Sequence, residues 1–222
     1  MDKKKPYSVD DAYALESPDD SIQLYGDWAE TYDSDFVATS GYIVYRLVAE
    51  RLVVNRTLIN GPVLDVGCGT GVVGTCLRQG GVDLIDGVDI SLPMLAVAGN
   101  KKTAEGDPVY RNLIPADLTQ RLNIADNQYA ALVSAGTFTH GHLGPDSLDE
   151  LWRVAAPGAR CVIGVRTTHF HAANFGEKLR SDVSAGTITE PDLVEVPMYS
   201  EEADNPEHAN DRAYIVVCQL GK

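Results

Sequence analysis

Between Val63 and Gly71 the chain reads VLDVGCGTG, an apolar run carrying one acid, Asp65, followed by three glycines in five residues, Gly67, Gly69 and Gly71. So dense a set of glycines lets the backbone turn tightly and press against a ligand. A helix opening behind the loop would aim its N-terminal amides at the same ligand. A second acid, Asp89, stands 18 residues past Gly71, a spacing that suits a carboxylate receiving hydrogen bonds from ribose hydroxyls. Residues 69–74, GTGVVG, also satisfy G-x-G-x-x-G, so a dinucleotide-dependent dehydrogenase is one reading. Asp65 weighs against it, because a carboxylate near the loop repels a pyrophosphate and attracts an ammonium.

The histidines form a second set. His140, His142, His169, His171 and His208 all lie in the C-terminal part of the chain. The first pair follows one strand-like segment and the second pair follows the next, so the two are expected to share one mouth. Imidazole is the usual general base near neutral pH. His140 or His142, on the loop THGH, is the candidate for that role. Thr137, Phe138, His169 and Arg166 are candidate substrate contacts, Arg166 as a partner for an anionic group. The H-x-H spacing permits metal ligation, but no matching acid accompanies it and no metal is expected. Tyr25, Trp28 and Tyr32 recur at i, i+3 and i+7, one helical face that either packs into a core or covers a ligand.

These groups belong to a chain of 222 residues, 44% of them hydrophobic, enough for one substantial α/β domain. The net charge of −14 argues against a nucleic-acid partner. The one basic run, Lys3, Lys4 and Lys5, reads as a solvated tail, and residues 1–20 as a flexible segment. No 18-residue apolar stretch is present, so no membrane span is expected, and the first 25 residues lack the apolar core of a secretory signal. Four scattered cysteines without a C-x-x-C pair suggest reduced thiols in the cytoplasm.

The elements that must position the candidates can be read in order. Ile22–Tyr32 and Tyr42–Val54 read as helices, together a helical cap over residues 21–60, leaving 21–222 as a single domain. Strand-like Val63–Val66 precedes helical Val72–Arg78, which Gly80 and Gly81 would stop. Leu84–Ile90 is a second strand, and Ser91 can cap a helix through Ala98 with Pro93 in its first turn. Strands follow at Val109–Ile114, Tyr129–Ser134 and Arg160–Arg166, with a helix at Asp146–Ala156 ended by Pro157 and Gly158. Residues 167–189 read as a helix plus loops. Leu193–Tyr199 and Ala213–Leu220 could close the sheet as an antiparallel pair. Such alternation implies a Rossmann-like, doubly wound α/β sheet of about seven strands, mostly parallel, with an antiparallel C-terminal strand.

With these motifs in place, the chain resembles the class I S-adenosylmethionine-dependent methyltransferases, from about Tyr25 to the C-terminus. Within them it is most similar to the small-molecule-type group named after a Williams–Beuren syndrome region methyltransferase-like protein. VLDVGCGTG is close to the family's first motif, GVDIS (87–91) to the second and ADL (116–118) to the third. VSAGTFTHGH (133–142) takes the place of the fourth, with Ser134 and Ala135 where an acid or amide and an aromatic are usual. The resemblance implies S-adenosylmethionine as cofactor, held by Asp65, Gly67, Cys68, Gly69, Gly71, Asp89, Ile90, Met94, Asp117, Leu118 and Ser134. Asp89 would meet the ribose, Asp117 the adenine amino group, and Tyr25, Trp28 and Tyr32 would form a lid. It implies methyl transfer to a small molecule. The departure in the fourth motif leaves a non-catalytic cofactor-binding module as a further alternative to the dehydrogenase.

Overall fold

The protein is described by a computed structural model covering residues 7–15, 17–140, 142–201 and 208–221. The lysine run at 3–5 lies outside the described residues. Of the segment expected to be loose, the described residues 7–15 and 17–20 contain one short helix and the start of a second. Helix α1 (Val9–Tyr13) buries Val9 and Ala12, and the Tyr13 hydroxyl lies 3.2 Å from that of Tyr199. Ser17 caps α2 (Pro18–Trp28) by accepting from the Asp20 amide, and Pro18 occupies the first turn, where an N–H has no partner to lose. Helix α2 therefore begins before Ile22 and stops at Trp28. A π-helical turn (Asp33–Ala38) then leads to α3 (Val44–Val53).

From there strands and helices alternate: β1 (Val63–Val66), α4 (Val72–Gln79), β2 (Ile85–Asp89), α5 (Leu92–Asn100), β3 (Asn112–Pro115), β4 (Tyr129–Phe138), α6 (Ser147–Val154), β5 (Ala155–Arg166), α7 (Thr167–Ala172), α8 (Phe175–Ser184), β6 (Asp192–Pro197) and β7 (Arg212–Gln219). The sheet order is β3-β2-β1-β4-β5-β7-β6, and β7 alone runs antiparallel to its neighbours. The expected doubly wound sheet is present, with its antiparallel strand at the C-terminus. The Ser91 hydroxyl accepts from the Met94 amide to start α5, as its position before Pro93 suggests. No helix among the described residues is long and apolar enough to cross a membrane.

Side chains alternate across the sheet and build two apolar layers. Leu64 and Val66 of β1 pack with Leu148, Leu151 and Trp152 of α6 and with Phe175 and Leu179 of α8. Val63 faces the other way, with Val48 and Leu52 of α3 and Val73 and Leu77 of α4. Each such leucine contributes about 1.5–3 kcal/mol by leaving water.

Further boundaries differ from the pattern reading, and residues 167–189, read as one helix plus loops, hold two helices, α7 and α8. β3 starts at Asn112 because Tyr110 turns inward under the glycine loop instead of joining the ladder. β4 continues past Ser134 to Phe138 through a bulge. α6 ends at Val154, and β5 begins at once because Ala155 pairs with Tyr129; Pro157 and Gly158 fall inside that strand's span.

Candidate active site

A cavity of about 280 Å³ opens beyond the carboxyl ends of β1, β2 and β4. This is where strand order runs outward in both directions from β1, the crevice in which such sheets hold ligands. The glycine loop forms its floor. Gly69 has φ +51° and nothing within 4 Å of where a Cβ would stand, so its backbone faces open space. Gly67 also lines the cavity, but its missing side chain makes room for Thr137. Gly71, expected at the cofactor, does not line the cavity. A Cβ there would come within 2.8 Å of the Tyr110 ring. Gly74, the last glycine of the dinucleotide-like pattern, also makes way for Tyr110.

The acids divide. Asp65 is a correction to the expected contact: it is fully buried beneath the loop, away from the cavity wall. Its Oδ2 accepts from the Tyr110 hydroxyl at 2.7 Å, and its Oδ1 has no partner among the described residues. Burial pushes its carboxyl up to about 7, against the lowering effect of the Tyr110 bond. Asp89 does line the cavity, at the end of β2. It accepts from the Gly69 amide at 2.8 Å and the Ser91 amide at 2.9 Å, tying the loop to the start of α5. Burial raises its pKa in spite of these bonds. Asp117 lines the cavity beyond β3, its Oδ1 accepting from the Thr119 amide and hydroxyl. Cys68, Ile90, Met94 and Leu118 complete that end.

Opposite stands α2. Tyr25 and Tyr32 line the cavity, whereas Trp28, expected beside them, points into a core with Leu24 and Ala12 and is 2% exposed. The Tyr25 hydroxyl is 3.0 Å from His142 Nε2. His142 Nδ1 is 3.0 Å from the His140 carbonyl, which can only accept, so the neutral ring carries its proton on Nδ1 and takes the Tyr25 proton at Nε2. Burial lowers the His142 pKa and raises that of Tyr25, so both are held neutral.

The remaining expectations are corrected by their surroundings. His140 does not line the cavity; its ring rests 5.1 Å from that of His169. His169 is buried and donates from Nε2 to the Leu143 carbonyl at 2.8 Å, bracing the loop that carries His142. Arg166 pairs with Asp211 at 3.0 Å and stacks 3.8 Å over Tyr13, fastening the N-terminal segment instead of facing a substrate. Phe138 is fully buried against Phe175. Ser134 is fully buried and donates to the Val66 carbonyl at 2.8 Å. Thr137, by contrast, lines the cavity. Among the described residues no group of three His, Cys, Asp or Glu side chains is placed to hold a metal.

Three residues were missed by pattern reading. Asp33 accepts from Thr70 of the glycine loop and from Lys101 past α5, both at 2.5 Å. The acid following Tyr32 was its one signal. Tyr42 and Tyr45 also line the cavity, and nothing local in the sequence distinguishes them from core tyrosines.

The lining fits S-adenosylmethionine better than a dinucleotide. An open backbone at Gly69, a carboxylate at Asp89 for hydroxyls and an aromatic wall suit an adenosyl group with a cationic centre. None of the lining residues is Lys or Arg, so a pyrophosphate would meet Asp89 and Asp117 without a counter-charge.

Known proteins point the same way. Residues 64–163 match the family model of a methyltransferase domain. Methyltransferase-like protein 27 of Homo sapiens is 32% identical over 152 residues, 66% of this chain and 58% of its own length. The chain spans only about half the length of the curated relatives it matches. Among solved structures, the (4+2)-cyclase SpnF superposes with a TM-score of 0.68 at 19% identity, over 93% of this chain and 97% of that one. Magnesium protoporphyrin IX methyltransferase (ChlM) from Synechocystis PCC 6803, solved with bound SAH, gives 0.61 at 17% identity, over 92% and 99%. At these identities the structural likeness is one of fold.

Proposed function

We propose that the chain, whose residues 64–163 match the family model of a methyltransferase domain, is a class I, S-adenosylmethionine-dependent methyltransferase, and that it transfers a methyl group from S-adenosylmethionine to a small-molecule acceptor in the cavity beneath α2. The observation that carries this reading is the lining itself: Gly69 open to the cavity, two carboxylates, an aromatic wall and no cation. Asp89 receives the ribose hydroxyls and Asp117 the adenine amino group, with Ile90, Met94 and Leu118 around the base. Asp65 underlies the loop with its carboxyl pushed up to about 7, and the cofactor's ammonium above it favours the ionised form. Tyr25 and Tyr32 close over the site and exclude water. The bound cofactor supplies a methyl group already activated by a positive sulfur, which leaves the protein to position the acceptor in line behind it. His142, neutral and reachable through Tyr25, receives the acceptor's proton.

The small-molecule acceptor is supported by the size of the cavity and by the net charge, and a magnesium protoporphyrin IX methyltransferase shares the fold. SpnF, a cyclase on the same fold, is a reminder that fold alone does not choose the chemistry. The four unpaired cysteines suit a reducing compartment, hence a cytoplasmic setting. Calorimetric titration with S-adenosylhomocysteine and with NAD tests the reading. It requires binding of the first and not the second; NAD binding alone would make the protein a dehydrogenase.

A further inference from the structure

The cavity lining has features that select among small molecules. Tyr32 and Tyr42 contribute to it together with Val37, Ala135 and Leu143. Tyr42 is 6% exposed, yet its hydroxyl has no hydrogen-bond partner among the described residues. It faces Gly136, where a Cβ would stand 3.4 Å from the oxygen. A buried hydroxyl left unpaired is costly, and a ligand oxygen beside it removes that cost. Tyr25, also on the lining, donates to His142 Nε2 and keeps its lone pairs free to accept. The site thus offers one donor, at Tyr42, and one proton acceptor, at Tyr25. No lysine or arginine is among the lining residues, and the charged groups that are present, Asp89 and Asp117, are negative.

We propose that the acceptor is an uncharged, planar molecule with a phenol- or enol-type hydroxyl, its oxygen held by Tyr42 and its proton passed through Tyr25 to His142. This rests on the methyltransferase reading above. In the step, the acceptor O–H bond breaks and an O–CH3 bond forms. The CH3–S bond breaks with its electron pair staying on sulfur. The acceptor proton moves to the Tyr25 oxygen as Tyr25's own proton moves to His142 Nε2. A neutral ether, a neutral thioether and an imidazolium result, so the single positive charge is conserved. Four groups face His142: Tyr25 from α2, the Thr139 hydroxyl at 3.0 Å from Nδ1, His140 on its own loop and His169 from α7. None is an anion that would strengthen it as a base. Burial further weakens it, which matches a phenol, with an ordinary pKa of about 10, far better than an aliphatic alcohol. A carboxylated or phosphorylated acceptor would be buried beside two carboxylates without a counter-ion.

The test uses the full chain with S-adenosylmethionine and a matched panel of naphthols, hydroxynaphthoates and naphthylmethanols, following S-adenosylhomocysteine formation, with calorimetric binding of S-adenosylhomocysteine in parallel. Naphthols are expected to be methylated with a kcat/KM at least ~10-fold above both other classes. Tyr25→Phe should lower kcat by ~10²-fold or more with KM and S-adenosylhomocysteine affinity little changed, whereas Tyr42→Phe should act mainly on KM. Preference for the hydroxynaphthoates or the alcohols overturns the proposal. So does S-adenosylhomocysteine binding without methylation of any naphthol, or a Tyr25→Phe variant that binds S-adenosylhomocysteine and keeps its kcat. Loss of S-adenosylhomocysteine binding by the wild-type protein overturns the methyltransferase reading, and the acceptor proposal with it.

Discussion

The Thr137 side chain, on the bulge of β4, occupies the space that a Gly67 Cβ would need, and its hydroxyl donates to the Val66 carbonyl at 3.1 Å. The end of β1 and the end of β4 are thereby fitted to each other at the floor of the cavity. Gly67 also has φ +64°. Gly67→Ala combines left-handed strain with overpacking, each costing about 1–3 kcal/mol. It should lower stability by at least ~2 kcal/mol in urea denaturation. A variant as stable as the wild type would show that Thr137 can swing clear.

Asp89 joins the loop to α5 and lines the cavity. Asp89→Ala is expected to weaken S-adenosylhomocysteine binding by ~1.5–3 kcal/mol, the worth of hydrogen bonds to a charged acceptor. Because the Gly69 and Ser91 amides lose a partner as well, the melting temperature should fall too. Unchanged affinity in calorimetry would remove Asp89 from the ribose.

Asp65 has a folded pKa of about 7, above its ordinary 3.8. A raised acid favours the folded state while protonated, and that contribution is lost as pH climbs from about 4 through 7. The loss is on the order of 4 kcal/mol. Asp65→Asn cannot ionise, so its unfolding free energy relative to wild type should rise across that window. Parallel stability profiles for the two proteins from pH 4 to 8 would contradict the burial argument.

His142 must be neutral to accept a proton, and burial lowers its pKa. The kcat/KM profile should therefore fall on the acid side with an inflection below imidazole's ordinary ~6.5. Burial is the main cause, with the His140 carbonyl opposing it and His169 adding to it. His142→Gln should lose ~10²–10⁴-fold in kcat while binding S-adenosylhomocysteine normally. A flat profile in the wild type would remove the base.

Strand and helix order were legible because apolar runs, Ser91 with Pro93, and paired glycines are local signals. Asp89 and Asp117 were legible by position, since strand ends in this topology face the crevice. The glycine loop was legible as a loop but not in its division of labour. Tyr110 and Thr137, which explain Gly71, Gly74 and Gly67, are distant in sequence and meet the loop only through packing. His140, His169 and Arg166 show the same limit. Residue type and loop position marked them as chemical, but neighbours contributed by α7, Asp211 and α1 assign them to bracing. Tyr42 was invisible for the opposite reason, as a core-like tyrosine whose unpaired oxygen appears only once its surroundings are built.

A crystal structure of the protein with S-adenosylhomocysteine tests the central claim most directly. The account predicts the ribose on Asp89, the adenine beside Asp117 and Leu118, and the sulfur facing the Tyr25–His142 pair with the Tyr42 hydroxyl in reach of the acceptor space. A cavity that stays closed to S-adenosylhomocysteine, or a ligand bound with its sulfur turned away from Tyr25 and His142, would contradict it.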